Sequence, residues 1–213
     1  MNFLAHAWLA GPLPGDRAGG LMGDFVKGPL PAGLPPDLAE GVRLHRAIDG
    51  YADAHPAFQA SRARVSPLRR RVSGVMVDMF YDHFLARHWD RYAPQHGEAL
   101  GAFTARQYAL LESCGPWLPA RLARILPAMR ADDWLASYQE VEIIHEALDR
   151  MALRLKRANA LPGAGAELQE NYAGFEADFH AFIADAQRFA LGWREQRDWI
   201  SAAESPAAER PDR

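Results

Sequence analysis

Apolar residues recur along this chain with a helical period, and nowhere is there a sustained apolar/polar alternation of the strand kind. The first helix is predicted from Asn2 to about Ala10, with Gly11-Pro12 ending it. A second is predicted to start near Asp16, read as its N-cap, and to stop before Gly28-Pro29. Residues Gly28 to Pro36 hold four prolines and two glycines and read as a loop. Asp37 is read as the cap of a helix reaching about Ala54, and His55-Pro56 stops it. A short helix precedes Ser66-Pro67. A long one is predicted from Pro67 through Val72, Val75, Met76, Met79, Phe80 and Phe84 to about Trp89. Further helices are expected over roughly Glu98 to Glu112, up to about Met129, from Asp132 to about Arg157, and from about Ala166 to Trp199. The expectation is an all-α fold: one helical domain over residues 1–200, with 201–213 as a flexible tail.

Composition narrows the class. With 49% hydrophobic and 24% charged residues the chain is globular, and its 213 residues can bury one sizeable core. The single cysteine, Cys114, excludes an internal disulfide framework and reads as a packed thiol. No segment approaches the ~20 apolar residues of a membrane span, and Met1 to His6 lacks a basic signal-like segment. These features lead to an expectation of a cytoplasmic protein with no membrane partner. The formal net charge of −3 gives no overall bias toward nucleic acid.

The chemistry is concentrated in histidines and aspartates at helical spacing. His45 and Asp49 are four residues apart and so ~40° apart around a helix axis, on one face, where an imidazole and a carboxylate can share a divalent cation. Asp78, Asp82 and His83 form a second group. Asp82 and His83 are ~100° apart, whereas Asp78 and His83 are ~140° apart, so Asp82 ranks first, His83 second and Asp78 third as ligands. His6 stands in an apolar helix, and Asp24 follows Gly19, Gly20 and Gly23. Three glycines in a helical segment each cost roughly 1 kcal/mol relative to alanine, which points to close packing or close ligand approach at Asp24. Each of these, taken alone, is also compatible with a local hydrogen bond or a solvated stripe. As a set they make the carboxylate and imidazole kit of a metal phosphohydrolase.

The runs Asn2-Phe3-Leu4-Ala5-His6, Gly23-Asp24-Phe25-Val26-Lys27-Gly28, His45-Arg46-x-Ile48-Asp49 and Asp82-His83-Phe84-Leu85-Ala86-Arg87-His88-Trp89 resemble the acyl-carrier-protein phosphodiesterase family. The likeness is specific over about residues 1 to 92 and loose from there to about 200. It implies hydrolysis, by a metal-activated water, of the phosphodiester joining 4′-phosphopantetheine to a serine of holo acyl carrier protein. It also implies a divalent cation, manganese first with magnesium or iron(II) as alternatives, and a fold distantly akin to the His-Asp phosphohydrolases. Carried over, the metal site draws on His6, Asp24, His45, Asp49, Asp82 and His83, with Asp24 the catalytic group.

Between Asp53 and Asp78 there is no acidic residue, but there are five arginines: Arg62, Arg64, Arg69, Arg70 and Arg71. They are read as a docking face for the acidic carrier protein, against the alternative of an ordinary solvated helix face. Three other functions stay open from sequence. One is a His-Asp-type phosphohydrolase acting on a nucleotide or other small phosphodiester. Another is a dimetal carboxylate bundle, suggested by the spacing of Glu142 and His145. The third is a non-catalytic carrier-binding module. Oligomeric state is not legible.

Overall fold

The computed structural model describes residues 1–92, 98–154 and 158–204, and among them there is no strand. The helices are α1 (Phe3–Leu9), α2 (Pro14–Met22), α3 (Pro36–Ala54), α4 (Pro56–Arg64), α5 (Ser73–Arg87), α6 (Trp89–Tyr92), α7 (Leu100–Ser113), α8 (Ala120–Ala131), α9 (Trp134–Ser137), α10 (Val141–Arg154), α11 (Ala166–Glu170) and α12 (Tyr172–Glu204). Three 3₁₀ turns, Gly23–Phe25, Pro67–Val72 and Gly115–Trp117, join them. The all-α expectation holds.

α5 is the axis of the molecule. From Met76 to Ala86 every residue except Asp78 is buried, Asp82 and His83 among them, so this helix is enclosed on nearly all sides. α1, α4, α10 and α12 pack around it. α12 contributes a stripe of Phe175, Phe179, Phe182, Ile183, Ala186 and Ala190, spaced to lie on one face. All of these belong to one contiguous core. No helix among the described residues is long and apolar enough to cross a membrane.

α2 and α3 meet backbone to backbone. A Cβ on Gly19 would lie 2.5 Å from Gly41 Cα, and one on Gly41 would lie 2.4 Å from the Gly15 carbonyl oxygen. Larger residues would push the two helices apart, so the glycines that weaken α2 locally are what allow it to seat against α3.

Several boundaries differ from the expectation, each for a local reason. α2 starts at Pro14, whose missing N–H is harmless at a first turn, while Asp16 lies inside the helix, buried and paired with Arg197. The predicted helix from Pro67 begins as a 3₁₀ turn and becomes α-helical only at Ser73. The predicted helix from Asp132 is broken. Asp133 takes the left-handed conformation at φ 40°, and its carboxylate accepts bonds from the Tyr108 hydroxyl at 3.0 Å and the Thr104 hydroxyl at 3.1 Å. That conformation delays the helix to Trp134, where the same carboxylate caps α9 by accepting from the Ala136 N–H at 3.3 Å, and a second interruption over residues 138–140 separates α9 from α10. Asn171 likewise divides α11 from α12. α12 runs past Trp199 to Glu204, so the start of the expected tail is helical. The rest of that tail, 205–213, and the predicted helix end at 155–157 lie outside the described residues.

Candidate metal centre and active site

Three elements of the N-terminal half converge on Asp49. α1 brings His6, α3 brings His45 and Asp49, and the 3₁₀ turn after α2 brings Asp24. The His6 and His45 rings stack with centroids 3.7 Å apart. His6 Nε2 lies 3.1 Å from Asp49 Oδ1. His45 Nε2 lies 3.2 Å from Asp49 Oδ2 and 3.8 Å from Asp24 Oδ1. His45 Nδ1 donates to the Gly20 carbonyl at 2.8 Å, which turns Nε2 toward the two carboxylates. Gly23 makes room for this ring, since a Cβ there would fall 2.1 Å from His45 Cγ. Arg46 donates to the Val26 carbonyl at 3.0 Å and so holds the segment that follows Asp24.

The charges are strongly coupled. Burial, reinforced by the neighbouring His45, pushes His6 down to about 3, so at neutral pH its ring is neutral. Burial alone would lower His45, but its bonds to Asp24 and Asp49 carry it up to about 9. Burial alone would raise Asp49, but His45, His6 and the Met1 ammonium hold it well below the usual carboxylate range. His45 also holds Asp24 low. The Met1 ammonium lies 2.9 Å from both Asp49 and Asp78, a cation set between two carboxylates.

His6, His45 and Asp49 each offer a donor atom within 4.8 Å of the other two. Asp24 stands beside them with its side chain 58% exposed. His6 Nδ1 is buried without a hydrogen-bond partner in the structure. Two imidazoles with one or two carboxylates suit a borderline or hard divalent cation. Of the six residues that the sequence expectation named as ligands, His6, His45 and Asp49 form such a group, with Asp24 adjoining through His45.

Asp82 and His83 are not brought to this cluster. Asp82 is fully buried, and its two oxygens accept from the Leu4 N–H at 2.8 Å and the Ala5 N–H at 2.9 Å. It caps α1 from across the core, a service that the helix's own N-cap residue, Asn2, does not perform. His83 Nδ1 meets the Tyr138 carbonyl at 2.8 Å and Nε2 meets the Tyr172 hydroxyl at 2.9 Å, joining α5 to the chain after α9 and to α12. Asp78, ranked third from sequence, is the member of that group that borders Asp49's surroundings, through the Met1 ammonium.

Asp24, Asp49 and Asp78 form one wall of a cavity of about 830 Å³. Its other walls carry Phe25, Ile125, Trp134, Ile143, Met151 and Leu161, and three cationic residues, Lys27, Arg121 and Arg150. Arg121 lies over the Phe25 ring at 5.9 Å, next in the chain to Asp24. None of these cations was picked out from sequence. Arg121 stands in an ordinary-looking amphipathic helix, and only the packing of α8 beside the Asp24 turn singles it out.

The five arginines read as a docking face do not line this cavity. Arg64 pairs with Asp178 at 2.8 Å. Arg69 bonds Glu167 at 2.9 Å and the Ala160 and Pro162 carbonyls at 2.9 and 3.0 Å. Arg64 therefore ties the end of α4 to α12, and Arg69 ties the turn that follows α4 to α11 and the segment before it. Arg62 bonds Asp53, which does border the cavity, at 3.3 Å. Arg70 and Arg71 are exposed. Glu142, offered as half of a dimetal motif, is exposed, and His145 packs against Gly165.

The sequence profile of the family described as acyl carrier protein phosphodiesterase matches residues 1–186. Proteins named acyl carrier protein phosphodiesterase from Salmonella dublin, Salmonella agona (strain SL483) and Salmonella newport (strain SL254) are each 34% identical over 195 residues, covering 90% of this chain and all of the relative. No solved structure matches the chain.

Proposed function

The chain belongs to the acyl carrier protein phosphodiesterase family, and we propose that it hydrolyses the phosphodiester joining 4′-phosphopantetheine to the serine of holo acyl carrier protein, with a divalent cation, manganese first, at His6, His45, Asp49 and Asp24. The observation that carries the reading is one cavity lined by carboxylates, by the cations Lys27, Arg121 and Arg150, and by apolar side chains. A phosphodiester with a long, largely uncharged arm needs that combination.

When bound, the cation lowers the pKa of water and offsets charge on a phosphoryl oxygen. The chain's own groups do the rest. Asp24 is half-open to the cavity and kept ionised by His45, which suits it to take a proton from the attacking water. Arg121 and Lys27 hold the non-bridging oxygens, the role guanidinium and ammonium groups fill at phosphates. The water oxygen bonds to phosphorus as its proton passes to Asp24, the bond from phosphorus to the serine oxygen breaks, and that oxygen takes its proton from solvent. Asp82 and His83 serve this site by position. One fixes the start of α1 and hence His6, and the other locks α5 against α12.

The test is incubation with holo acyl carrier protein and manganese, followed by intact mass of the carrier. Loss of the phosphopantetheine mass is expected. A carrier of unchanged mass, under conditions where the protein binds manganese, overturns the proposal.

A further inference from the structure

His88 belongs to the Asp82–Trp89 run that carries part of the family resemblance, yet it has no part in the Asp49 cluster. It closes α5, as the residue after Arg87. Opposite it on α12 stand Glu176 and His180, four residues apart and so on one face. His88 Nε2 is 2.7 Å from Glu176 Oε1. The His88 and His180 rings have centroids 5.0 Å apart. Each of the three residues offers a donor atom within 4.8 Å of the other two. The Tyr92 hydroxyl bonds His180 Nδ1 and fixes the direction of that ring, as an outer partner does for a metal-bound imidazole. All three side chains are partly exposed, so an ion has a path in from solvent.

We propose that His88, Glu176 and His180 form a second cation site, of the zinc class, that ties the end of α5 to α12. Zinc bonds of ~2.0–2.1 Å in a tetrahedron put donors ~3.4 Å apart. The His88–Glu176 contact therefore has to open by less than ~1 Å, within the reach of two partly exposed side chains. Two imidazoles and one carboxylate select zinc or cobalt over magnesium or calcium, which prefer oxygen ligands. The Asp49 cluster, with Asp24 and Asp78 adjoining, is the more acidic of the two groups. Three protein donors leave a remaining position to water. The site joins elements 88 residues apart in sequence, so its occupant stabilises the folded chain by mass action.

The experiment uses the full chain stripped with chelator and titrated with zinc, with bound metal measured by elemental analysis after separation. Wild type is expected to hold one equivalent more than Glu176→Gln or His180→Ala. Zinc should raise the thermal midpoint of wild type more than that of either variant. Hydrolysis of holo carrier protein with manganese should be the same in all three. Glu176→Gln keeps size and shape, and a far-ultraviolet spectrum equal to wild type makes its result decisive even if His180→Ala folds poorly. Equal zinc content in wild type and folded Glu176→Gln overturns the proposal.

Discussion

The Asp49 cluster and the Asp82–His83 pair are built from the same residue types, both sit on buried helical surface, and both looked like metal ligands. The difference lies in what their lone pairs meet. Asp49, His6 and His45 meet one another, and Asp49 also meets the edge of a cavity, although each ring has a backbone carbonyl beside one nitrogen, Met1 for His6 and Gly20 for His45. Asp82 spends both oxygens on two backbone N–H groups, and His83 spends both nitrogens on a carbonyl and a hydroxyl. A carboxylate whose acceptor sites are taken by a helix terminus is a structural group, and one that faces other ligands is available for chemistry. Counting partners separates the two where residue type and spacing do not.

The largest expected effect tests the first half of this contrast. Asp24→Asn and Asp49→Asn should each lower kcat by ~10²–10⁴-fold, the range for a group that moves or holds a proton in the transition state. Chelation should abolish wild-type activity, with manganese restoring it. Asp24→Asn should leave the thermal midpoint close to wild type, because the side chain is 58% exposed. Phosphopantetheine release at near wild-type rate by Asp24→Asn would remove that residue from the chemistry.

The second effect is on stability. Asp82→Asn puts an amide where two N–H groups need acceptors, and only one of its atoms can accept. The expected cost is about 1–3 kcal/mol, read as a lower urea midpoint, with activity per folded molecule nearly preserved. A variant that keeps its midpoint and loses activity would move Asp82 into the Asp49 group and dissolve the comparison.

The helical class, the single core and the motifs at His6, Asp24, His45 and Asp49 were legible because each depends on periodicity or on short runs of sequence. What was not legible depends on contacts that span the chain. Asp82 finds its partners 77 and 78 residues earlier, Arg69 finds Glu167 98 residues later, and His88 finds Glu176 88 residues later. The left-handed turn at Asp133 has the same origin, since its carboxylate is met by Tyr108 and Thr104 on α7 while it caps α9. An arginine-rich stretch therefore looked like one surface, although its members divide among an ion pair with α3, ion pairs with the C-terminal helices and open solvent.

The smallest expected effect separates those arginines and depends on pH. Glu167 accepts from the Ser66 N–H at 2.8 Å, the Ser66 hydroxyl at 2.6 Å and Arg69 at 2.9 Å. Burial alone would raise its pKa, but these bonds hold it below the usual glutamate range. A carboxyl depressed in the folded state binds fewer protons there than in the unfolded chain. Its stabilisation is therefore fully present above the unfolded value of ~4.3 and is lost as pH falls below it. Glu167→Gln should be less stable than wild type at pH 7 by about 1 kcal/mol, and the gap should close as pH is lowered past that value. Arg69→Gln should behave in the same way at pH 7, with little change in KM for the carrier. Arg70→Glu with Arg71→Glu should do the reverse, leaving the urea midpoint unchanged and raising KM in a salt-dependent manner, because these two side chains are exposed. A gap for Glu167→Gln that stays constant down to pH 3 would mean that the carboxylate charge contributes nothing to the Arg69 tie, and Arg69 would return to the docking face with its neighbours.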